Sequence, residues 1–435
     1  MTWVDSAIWW QVYPLGFAGA EKEAPAEEVV QHRLPDAQWL DYLVELGCNG
    51  LALGPVFASQ THGYDTVDLL RIDARLGDDG DFDALVAACR ERGIRILLDG
   101  VFNHVGREHP KFVQALREGV GSEAARWFHL EESDGALVAK NFEGHDQLVA
   151  LNHDEPEVIA HVTEVMSHWL DRGVDGWRLD AAYTVPTAFW ATVLPAVREQ
   201  HPEAWFVGEV IHGDYVEYVQ QSTLDSVTEY ELWKAVHSSL NDHNFWELDH
   251  TLGRHNELVA HFSPLTFIGN HDVTRLASVL KDPDHLALAV AVLLFVGGVP
   301  SIYYGDEQGF LGIKEERFGG DDAIRPEFPD QPSDLPPEGW TTYHLHQQMI
   351  SIRRRHPWLS RATTETLQLS NEQLALSAAA GDGSERLVLL LNTANEDVTF
   401  DLELDQVSVV EQSRGSNAEK LVVEPAGWAV ISATR

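Results

Sequence analysis

The sequence predicts an α/β fold in which a (β/α)₈ barrel, interrupted by one short inserted lobe, is followed by an all-β domain. Short apolar runs recur eight times, and stretches of helical period follow them, as in a parallel sheet with helical crossovers. The connection after the third run is far longer than the others. After residue 356 the helical periods cease and strand-like runs take over.

The eight runs define the predicted barrel strands. Each run is rich in β-branched or other apolar residues, and eight strand-helix units are the number that closes such a barrel. In chain order they are 8–13, 50–53, 94–98, 174–179, 205–208, 224–229, 265–269 and 300–304. The longest apolar run, 286–296, is about half the ~20 residues that cross a bilayer, which predicts a buried helix and no membrane anchor.

The long connection and the change of pattern divide the chain. Residues 1–102 and 155–358 form the predicted barrel, and residues 103–154 form a lobe inserted after the third strand. Because the insertion is rich in Gly, Glu, Asp and Asn without sustained periodicity, we expect an irregular cover over the barrel mouth. Residues 359–435 are expected to form a β-sandwich domain, with predicted strands at 386–392, 398–402 and 421–423.

Composition narrows the class of protein. With 44% apolar residues and 14 Trp, the 435-residue chain can bury a large core. The formal charge of −39 at pH 7 opposes binding to nucleic acid or to anionic membranes and favours a neutral substrate such as a sugar. No secretory signal is visible at the start, and two cysteines, Cys48 and Cys89, fit a reducing compartment as buried thiols. We therefore expect a cytoplasmic protein.

Acidic side chains follow several predicted strands, at the edge where a barrel gathers its active site. Arg178 and Asp180 lie two apart at the end of the fourth strand, so both should point the same way, and the guanidinium favours an ionised carboxylate. Glu209 follows the fifth strand and Asp272 the seventh, so three acids should converge on one mouth. A structural ion pair is the alternative for Arg178 and Asp180 taken alone.

Ordered motifs across residues 5–356 strongly resemble those of the α-amylase family of glycoside hydrolases. They are Gly63-Tyr-Asp65, Asp99-Gly-Val-Phe-Asn-His104, Leu151-Asn152, the block 176–183, Gly208-Glu209-Val210, Gly269-Asn-His-Asp272 and the run 297–307. One such motif alone would be background, whereas the whole set in order is specific. The resemblance implies a barrel enzyme that cleaves bonds between sugars.

The resemblance implies a role for each acid. Asp180 would be the nucleophile that forms a covalent glycosyl-enzyme, with Arg178 holding it charged. Glu209 would protonate the leaving oxygen and then deprotonate water, so its surroundings should favour the protonated form more than those of Asp180 do. Asp272 would bind sugar hydroxyls and stabilise the transition state. Carboxyl groups about 5 to 5.5 Å apart would give retention of anomeric configuration.

Substrate-binding residues are implied around these acids. His104 and His271 would donate hydrogen bonds to the sugar beside the scissile bond, although a single histidine is more often structural. Tyr64 offers a ring that can stack on a pyranose. Asp65 and Arg325 would pair to close the end of the sugar site, with a purely structural salt bridge as the alternative. The full set of candidates is Tyr64, Asp65, His104, Arg178, His271, Arg325 and His212.

No cofactor is expected, and no metal is indicated. The run Asp78-Asp-Gly-Asp81 lacks the alternating ligands and distal Glu of a calcium loop, and Asp81 is better explained as the N-cap of the next helix. Residues 15–35 contain no Asp-x-Asn-x-Asp run either. The resemblance leaves calcium open only at a site that would involve Asn103.

Within the family, the short lobe, the small C-terminal domain and the missing secretion signal resemble the intracellular cyclomaltodextrinase, neopullulanase and maltogenic amylase group, including its cyclic maltosyl-maltose hydrolase. This implies a retaining hydrolase of α-glucosidic bonds, mainly α-1,4 with α-1,6 open, in short or cyclic malto-oligosaccharides such as cyclodextrins. Two departures stand out. Ile211 replaces a Trp after the acid/base motif, and the extra N-terminal β domain that mediates dimers is not seen. A homodimer stays open.

Three functions remain in competition at this level. The first is the hydrolase just described. The second is an α-glucosidase, or a transglycosylase or isomerase, which uses the same residues and differs in whether water or sugar reaches the intermediate. The third is a non-catalytic sugar-binding or transporter-accessory barrel, a kind of protein that usually loses acidic catalytic residues and carries a membrane helix. Three acids are present and the apolar runs are short, which disfavours the third.

Overall fold

The computed structural model describes residues 2–25, 29–133, 136–317 and 319–434. Eight parallel strands, here called barrel strands 1 to 8, form a ring: Trp9–Val12, Gly50–Leu53, Arg95–Gly100, Gly176–Leu179, Trp205–Gly208, Ser226–Val227, Leu265–Phe267 and Val299–Tyr303. Strands 1 to 6 are neighbours in chain order, and strand 1 also pairs with strand 8, which pairs with strand 7. A parallel bridge between Thr228 and Leu265 closes the ring. The predicted barrel is confirmed.

The barrel strands are buried on both faces, which explains why they read as apolar runs. In barrel strand 4 every residue from Gly176 to Leu179 is buried. Barrel strand 6 is the one that differs most from its prediction at 224–229, since only Ser226–Val227 pair as a strand. Its extension beyond Thr228 is cut short because Tyr230 already begins a helix.

Helices cover the outside of the ring. They are Ala37–Leu46, Asp79–Glu91, Pro156–Asp171, Thr187–Arg198, Tyr215–Ser222, Tyr230–Asn241, Trp246–His261, Leu286–Phe295 and Trp340–Arg355, with short turns at Pro14–Phe17 and Leu276–Val279. The N-cap of the helix Asp79–Glu91 is Asp78, so the prediction of Asp81 is wrong. The Asp78 side chain accepts from the N–H groups of Gly80 and Asp81, and the Asp81 side chain accepts from the N–H of Asp78. This reciprocal capping starts the helix earlier than predicted.

The lobe after barrel strand 3 is more regular than predicted. It contains the helix Pro110–Glu118, a three-stranded sheet of His104–Gly106, His145–Ala150 and Asn141–Phe142, and a hairpin of Leu130–Ser133 and Ala136–Ala139. These strands are short and polar, so their alternation of polar and apolar residues is too weak to predict them from the sequence. A further hairpin, Phe57–Ser59 with Thr66–Ile72, follows barrel strand 2 and was also not predicted.

The C-terminal region is all-β, as predicted. A five-stranded antiparallel sheet has the order Thr364–Leu369, Gln373–Ala379, Arg386–Asn392, Trp428–Thr434 and Asp405–Gln412, and a second pair joins Val398–Thr399 to Val422–Val423. In Arg386–Asn392, Val388 and Leu390 belong to a small apolar core shared with that pair, whereas Leu389 and Leu391 belong to the main core of the barrel. Because both faces are covered, the strand reads as an unbroken apolar run.

The helix Leu286–Phe295 lies between the barrel and this sheet. It is apolar all round and buried from Leu288 onward, as the sequence predicted. It contacts the helices Tyr230–Asn241 and Trp340–Arg355 and two strands of the C-terminal sheet, Arg386–Asn392 and Trp428–Thr434. Within the described ranges, none of the helices combines the length and apolarity that crossing a bilayer requires.

One continuous apolar core runs through the barrel, the base of the lobe and one face of the C-terminal sheet. Because this core is shared, it does not divide the chain into separate domains, and the boundaries at residues 103, 155 and 359 stay predictions. Cys48 and Cys89 lie in this core as free, buried thiols, as expected.

Candidate active site

Acids from barrel strands 3, 4 and 5 meet on one buried guanidinium, that of Arg178. Its Nη1 lies 2.8 Å from both carboxylate oxygens of Asp99 and 3.0 Å from Oδ1 of Asp180. Its Nη2 lies 2.8 Å from Oε1 of Glu209. One planar cation thus contacts all three acids and brings the carboxyl groups of Asp180 and Glu209 together at the barrel mouth. The ion pair predicted for Arg178 and Asp180 is present as part of this larger cluster.

The backbone after barrel strand 4 helps to hold Glu209. Ala181 has a left-handed backbone, with φ 44° and ψ 36°. Its N–H donates a 2.8 Å hydrogen bond to Oε2 of Glu209. Non-glycine residues seldom adopt this conformation, and they keep it only where the surrounding structure enforces it. The backbone of Ala181 is thus fixed in a position from which its N–H donates to the Glu209 carboxyl group.

Burial and charge oppose each other at Asp180. Burial raises the pKa of the Asp180 carboxyl well above its ordinary value, Arg178 lowers it, and the nearby Glu209 and Asp99 raise it. Arg178 therefore acts on Asp180 in the expected direction, but its cation is divided among three acids, and the ionised state of Asp180 stays a prediction. Carboxyl groups this close share protons and titrate together.

Asp272, beyond barrel strand 7, has the opposite balance of charge. Its Oδ1 accepts a hydrogen bond from Nη2 of Arg325 at 3.0 Å, and its Oδ2 lies 3.0 Å from Nε2 of His271. Burial alone would raise the pKa of Asp272, but His271 and Arg325 together hold it well below its ordinary value. Asp272 is therefore an anion at any working pH.

His271 and Tyr64 join Asp272 to the acid cluster. Gln11 Nε2 lies 3.1 Å from Nδ1 of His271, and Nε2 of the same ring faces Asp272. The Tyr64 hydroxyl contacts the same Nε2 and donates to Oδ2 of Asp99 at 3.2 Å. The rings of Tyr64 and His271 stack with centroids 5.6 Å apart. Their predicted contacts with sugar stay predictions.

The predicted pair of Asp65 and Arg325 does not form. The two carboxylate oxygens of Asp65 accept hydrogen bonds from Thr61, from its N–H at 3.0 Å and from its hydroxyl at 2.7 Å. Arg325 contacts Asp272 at 3.0 Å and Asp321 at 3.1 Å instead. A local turn satisfies Asp65, and the loop after barrel strand 8 turns Arg325 toward the acid of barrel strand 7.

The two remaining histidines are placed differently. His104 is buried, its Nε2–H donates to the carbonyl of Tyr64 at 3.1 Å, and Asn103 Nδ2 donates to its Nδ1 at 3.0 Å. Burial lowers the pKa of His104 to about 4, so the ring is neutral at pH 7. Its N–H is engaged within the protein, and donation to a sugar stays a prediction. His212 is exposed, with its ring centroid 6.4 Å from that of Tyr183.

Three residues at the centre of the site were not among the predicted candidates. Asp99 shares Arg178 with the other acids. The Tyr230 hydroxyl donates to Oε1 of Glu209 at 3.0 Å and accepts from Asn270 at 3.0 Å. Each lies at or just beyond the carboxyl end of a predicted strand, which was the available signal. The contacts between these residues depend on the geometry of the closed ring, which the sequence does not contain.

One cluster in the described part of the chain has the spacing of a metal site. Among the described residues, His32, Asp78 and Asp81 have ligand atoms close enough together to hold an ion. They lie near the surface, and both aspartates already cap the helix Asp79–Glu91. Asn103, the position where calcium was left open, donates its amide to His104.

Known proteins share this architecture. The family model described as alpha amylase, catalytic domain, matches residues 37–336. A cyclomaltodextrinase of Geobacillus thermopakistaniensis (strain MAS1) is 30% identical over 437 residues, covering 93% of this chain and 71% of that protein. An intracellular maltogenic amylase of Bacillus subtilis (strain 168) is 29% identical over 339 residues, covering 71% of this chain and 56% of that protein.

A solved structure agrees over the whole length. The ligand-free cyclic alpha-maltosyl-(1→6)-maltose hydrolase from Arthrobacter globiformis matches with a TM-score of 0.81 and 26% identity, covering 100% of both chains. The residues that the family model matches include most of the barrel. The chain belongs to the α-amylase family of glycoside hydrolases.

Proposed function

We propose that the protein hydrolyses α-glucosidic bonds in short or cyclic malto-oligosaccharides with retention of anomeric configuration. One observation carries the proposal: Asp180 and Glu209 lie 3.0 and 2.8 Å from nitrogens of the same guanidinium, that of Arg178. Two carboxyl groups held on one guanidinium favour the separation of about 5 to 5.5 Å found in retaining enzymes over the about 6.5 to 9.5 Å of inverting ones.

In the proposed first step, Asp180 attacks the anomeric carbon while Glu209 protonates the leaving glycosidic oxygen. The proton that is transferred must lie on Glu209 at this point. That placement removes one negative charge beside Asp180 and so favours its ionised form. The glycosidic bond breaks, and the sugar is left as an ester of Asp180.

In the second step, Glu209 takes a proton from a water molecule, which attacks the same carbon and releases Asp180. Two displacements at one carbon restore its original configuration. Asp272, held ionised by His271 and Arg325, can accept hydrogen bonds from sugar hydroxyls. It can also offset the positive charge that develops on the sugar in each transition state.

Support for the substrate class comes from the relatives. Their names refer to cyclic maltodextrins, to maltose formation and to cyclic maltosyl-maltose. We propose mainly α-1,4 cleavage, with α-1,6 cleavage added because the structural relative is named for a substrate with a 1→6 linkage. Ile211, exposed beside the acid/base motif, would give the leaving sugar an apolar but not aromatic contact.

Product analysis tests this function. The enzyme is incubated with maltotriose, a cyclodextrin, panose, sucrose and cyclic maltosyl-maltose, and the products are separated. Proton NMR in the first minutes should show the α-anomer of the product, and initial release of the β-anomer would contradict retention. Products longer than the substrate would show that sugar, and not water, is the main acceptor, which is the transglycosylase alternative.

Two substitutions test the assigned acids. Asp180→Asn and Glu209→Gln should each lower kcat for maltotriose by at least about a hundredfold, because the chemistry needs an anion and a titrating acid. Their melting temperatures should stay near that of the wild type. Glu91→Gln, which changes an exposed acid on the helix Asp79–Glu91, is the matched control. Near-wild-type turnover in either variant would refute the assignment.

We further propose that the enzyme works inside the cell without a resident metal. The buried free thiols Cys48 and Cys89 and the relationship to an intracellular maltogenic amylase support the location. Activity found in the culture medium of the source organism would contradict it. The homodimer left open above stays a prediction, and light scattering that gives twice the chain mass would establish it.

A further inference from the structure

The hydroxyl of Tyr230 connects two parts of the site. Tyr230 begins the helix after barrel strand 6, and its side chain is buried. Its hydroxyl donates a 3.0 Å hydrogen bond to Oε1 of Glu209. The same oxygen accepts a 3.0 Å hydrogen bond from Nδ2 of Asn270, which lies beyond barrel strand 7. Tyr230 thus links the acid of barrel strand 5 to the strand that leads to Asp272.

One backbone group fixes the direction of these hydrogen bonds. The N–H of Asp272 lies 2.9 Å from Oδ1 of Asn270. A backbone N–H can only donate, so the oxygen of the Asn270 amide must face it and the NH₂ must face Tyr230. The Tyr230 oxygen then receives a hydrogen bond, and its single hydrogen is left for Glu209. Burial raises the pKa of Tyr230 well above its ordinary value, so that this hydrogen stays in place.

The same contacts distinguish the two oxygens of Glu209. Oε1 accepts from Tyr230 and lies 2.8 Å from Nη2 of Arg178, so it has two donors around it. Oε2 accepts from the N–H of Ala181 at 2.8 Å. A carboxyl oxygen offers two lone pairs, so Oε2 keeps a position where a proton can be carried.

We propose, on the basis of the function proposed for Glu209, that Tyr230 is a positioning residue which Asn270 orients and which confines the catalytic proton of Glu209 to Oε2. Without the hydroxyl, Oε1 would lose a donor and become a second place for the proton. The carboxyl group could then also turn about its terminal bond. Only part of the enzyme molecules would present a proton to the glycosidic oxygen.

Tyr230→Phe tests this role, because it removes only the oxygen. We expect kcat for maltotriose to fall about ten- to a hundredfold, as for the loss of a hydrogen bond to a charged group, with KM within about twofold. The basic limb of the pH profile of kcat/KM should move to higher pH, because the acid loses a donor that stabilises its anion. A wild-type kcat and pH profile would overturn the inference.

A substrate that needs no acid separates positioning from general damage. Fluoride leaves α-maltosyl fluoride without protonation by a general acid. Tyr230→Phe should therefore lose far less of its first-step rate on α-maltosyl fluoride than on maltotriose. Equal losses on the two substrates would show that the variant has a damaged site, and they would overturn the inference.

Asn270→Asp keeps the shape of the side chain but reverses the hydrogen bond between residue 270 and the hydroxyl of Tyr230. One oxygen of the new carboxylate still accepts from the N–H of Asp272, and the other accepts the hydrogen of Tyr230, which is drawn away from Glu209. In this background Tyr230→Phe should cost less than about twofold in kcat, so that the two substitutions are strongly non-additive. Independent losses that multiply would contradict the role of Asn270.

Tyr343→Phe is the matched control. Tyr343 is also buried, and its hydroxyl donates at 3.0 Å to the backbone carbonyl of Tyr42 and not to an acid. It should keep the wild-type kcat and pH profile. If Glu209→Gln keeps its turnover, the proposed function itself fails. If Glu209→Gln is inactive and Tyr230→Phe behaves like Tyr343→Phe, only the positioning role fails.

Discussion

Arg325 and Asp272 form an ion pair, with Nη2 of Arg325 3.0 Å from Oδ1 of Asp272. The pair connects the loop after barrel strand 8 to the end of barrel strand 7. Together with His271, it keeps the Asp272 carboxylate ionised in spite of burial. Arg325 thus helps to hold ionised an acid for which no arginine partner was predicted.

We predict that Arg325→Gln and Asp272→Asn are non-additive by about 0.5 to 3 kcal/mol in the free energy of unfolding, because either substitution breaks the same ion pair. Arg325→Gln and Asp65→Asn should be closer to additive, since Asp65 bonds to Thr61. Urea unfolding of both double-mutant cycles at pH 7 measures the two couplings. A larger coupling to Asp65 than to Asp272 would contradict the structure.

The left-handed backbone of Ala181 leads to a second prediction. Ala181→Gly should keep kcat within about threefold, because glycine adopts positive φ at no steric cost. Ala181→Val should lose at least about tenfold, because a β-branched residue is an outlier there and the N–H that holds Glu209 would move. Steady-state kinetics on maltotriose, with thermal melts to check folding, compare the pair. Equal kcat values for Gly and Val would count against the strained turn.

The pH dependence of stability should reflect His346. Its Nδ1–H donates to the carbonyl of Thr342 at 2.9 Å, and burial lowers its pKa to about 4. In the unfolded chain the pKa is about 6.5, so on acidification the unfolded chain binds a proton before the folded one does. The stabilising contribution is complete above about pH 6.5 and is lost as the pH falls toward about 4.

His346→Gln should therefore flatten the decline of Tm between those pH values. His344→Gln changes an exposed histidine on the same helix, and its Tm should decline with falling pH as steeply as that of the wild type. Thermal melts at intervals across the range measure all three proteins. An unchanged slope in His346→Gln would show that other groups dominate acid destabilisation.

We also predict that dialysis against EDTA leaves kcat for maltotriose unchanged. The reason is that the acids of the mouth are engaged by Arg178 and Arg325, and that Asn103 is bonded to His104. Kinetics and melts before and after dialysis are compared. A loss of activity that calcium restores would reveal a site that these contacts do not suggest.

The barrel could be predicted because its strands are buried on both faces and are separated by helical periods. Barrel strands 2 and 5, Gly50–Leu53 and Trp205–Gly208, have the bounds that were predicted. Barrel strand 6 was overextended, since an apolar run does not show where pairing stops and a helix begins. The lobe was misjudged because its strands depend on pairing with each other and carry little periodicity of their own.

The gathering of Asp180, Glu209 and Asp272 was predictable for a topological reason, since parallel barrel strands end at one edge. The contact of Arg178 with three acids could not be predicted, because it depends on the distances between neighbouring strands. The same limit explains Asp65 and Arg325. Either residue can satisfy its charge locally, and sequence order does not show which contact prevails. Tyr230 went unnoticed because a tyrosine at a helix start carries no chemical signature until its partners are known.

The helix Leu286–Phe295 has no polar face, and the C-terminal sheet covers part of it that the barrel leaves open. The barrel of this chain is therefore not a portable catalytic module. A fragment ending near residue 358 would present apolar surface to water and would tend to associate. In evolution or in engineering, an exchange of the C-terminal region would have to supply an equally apolar sheet face, or rewrite this helix at the same time.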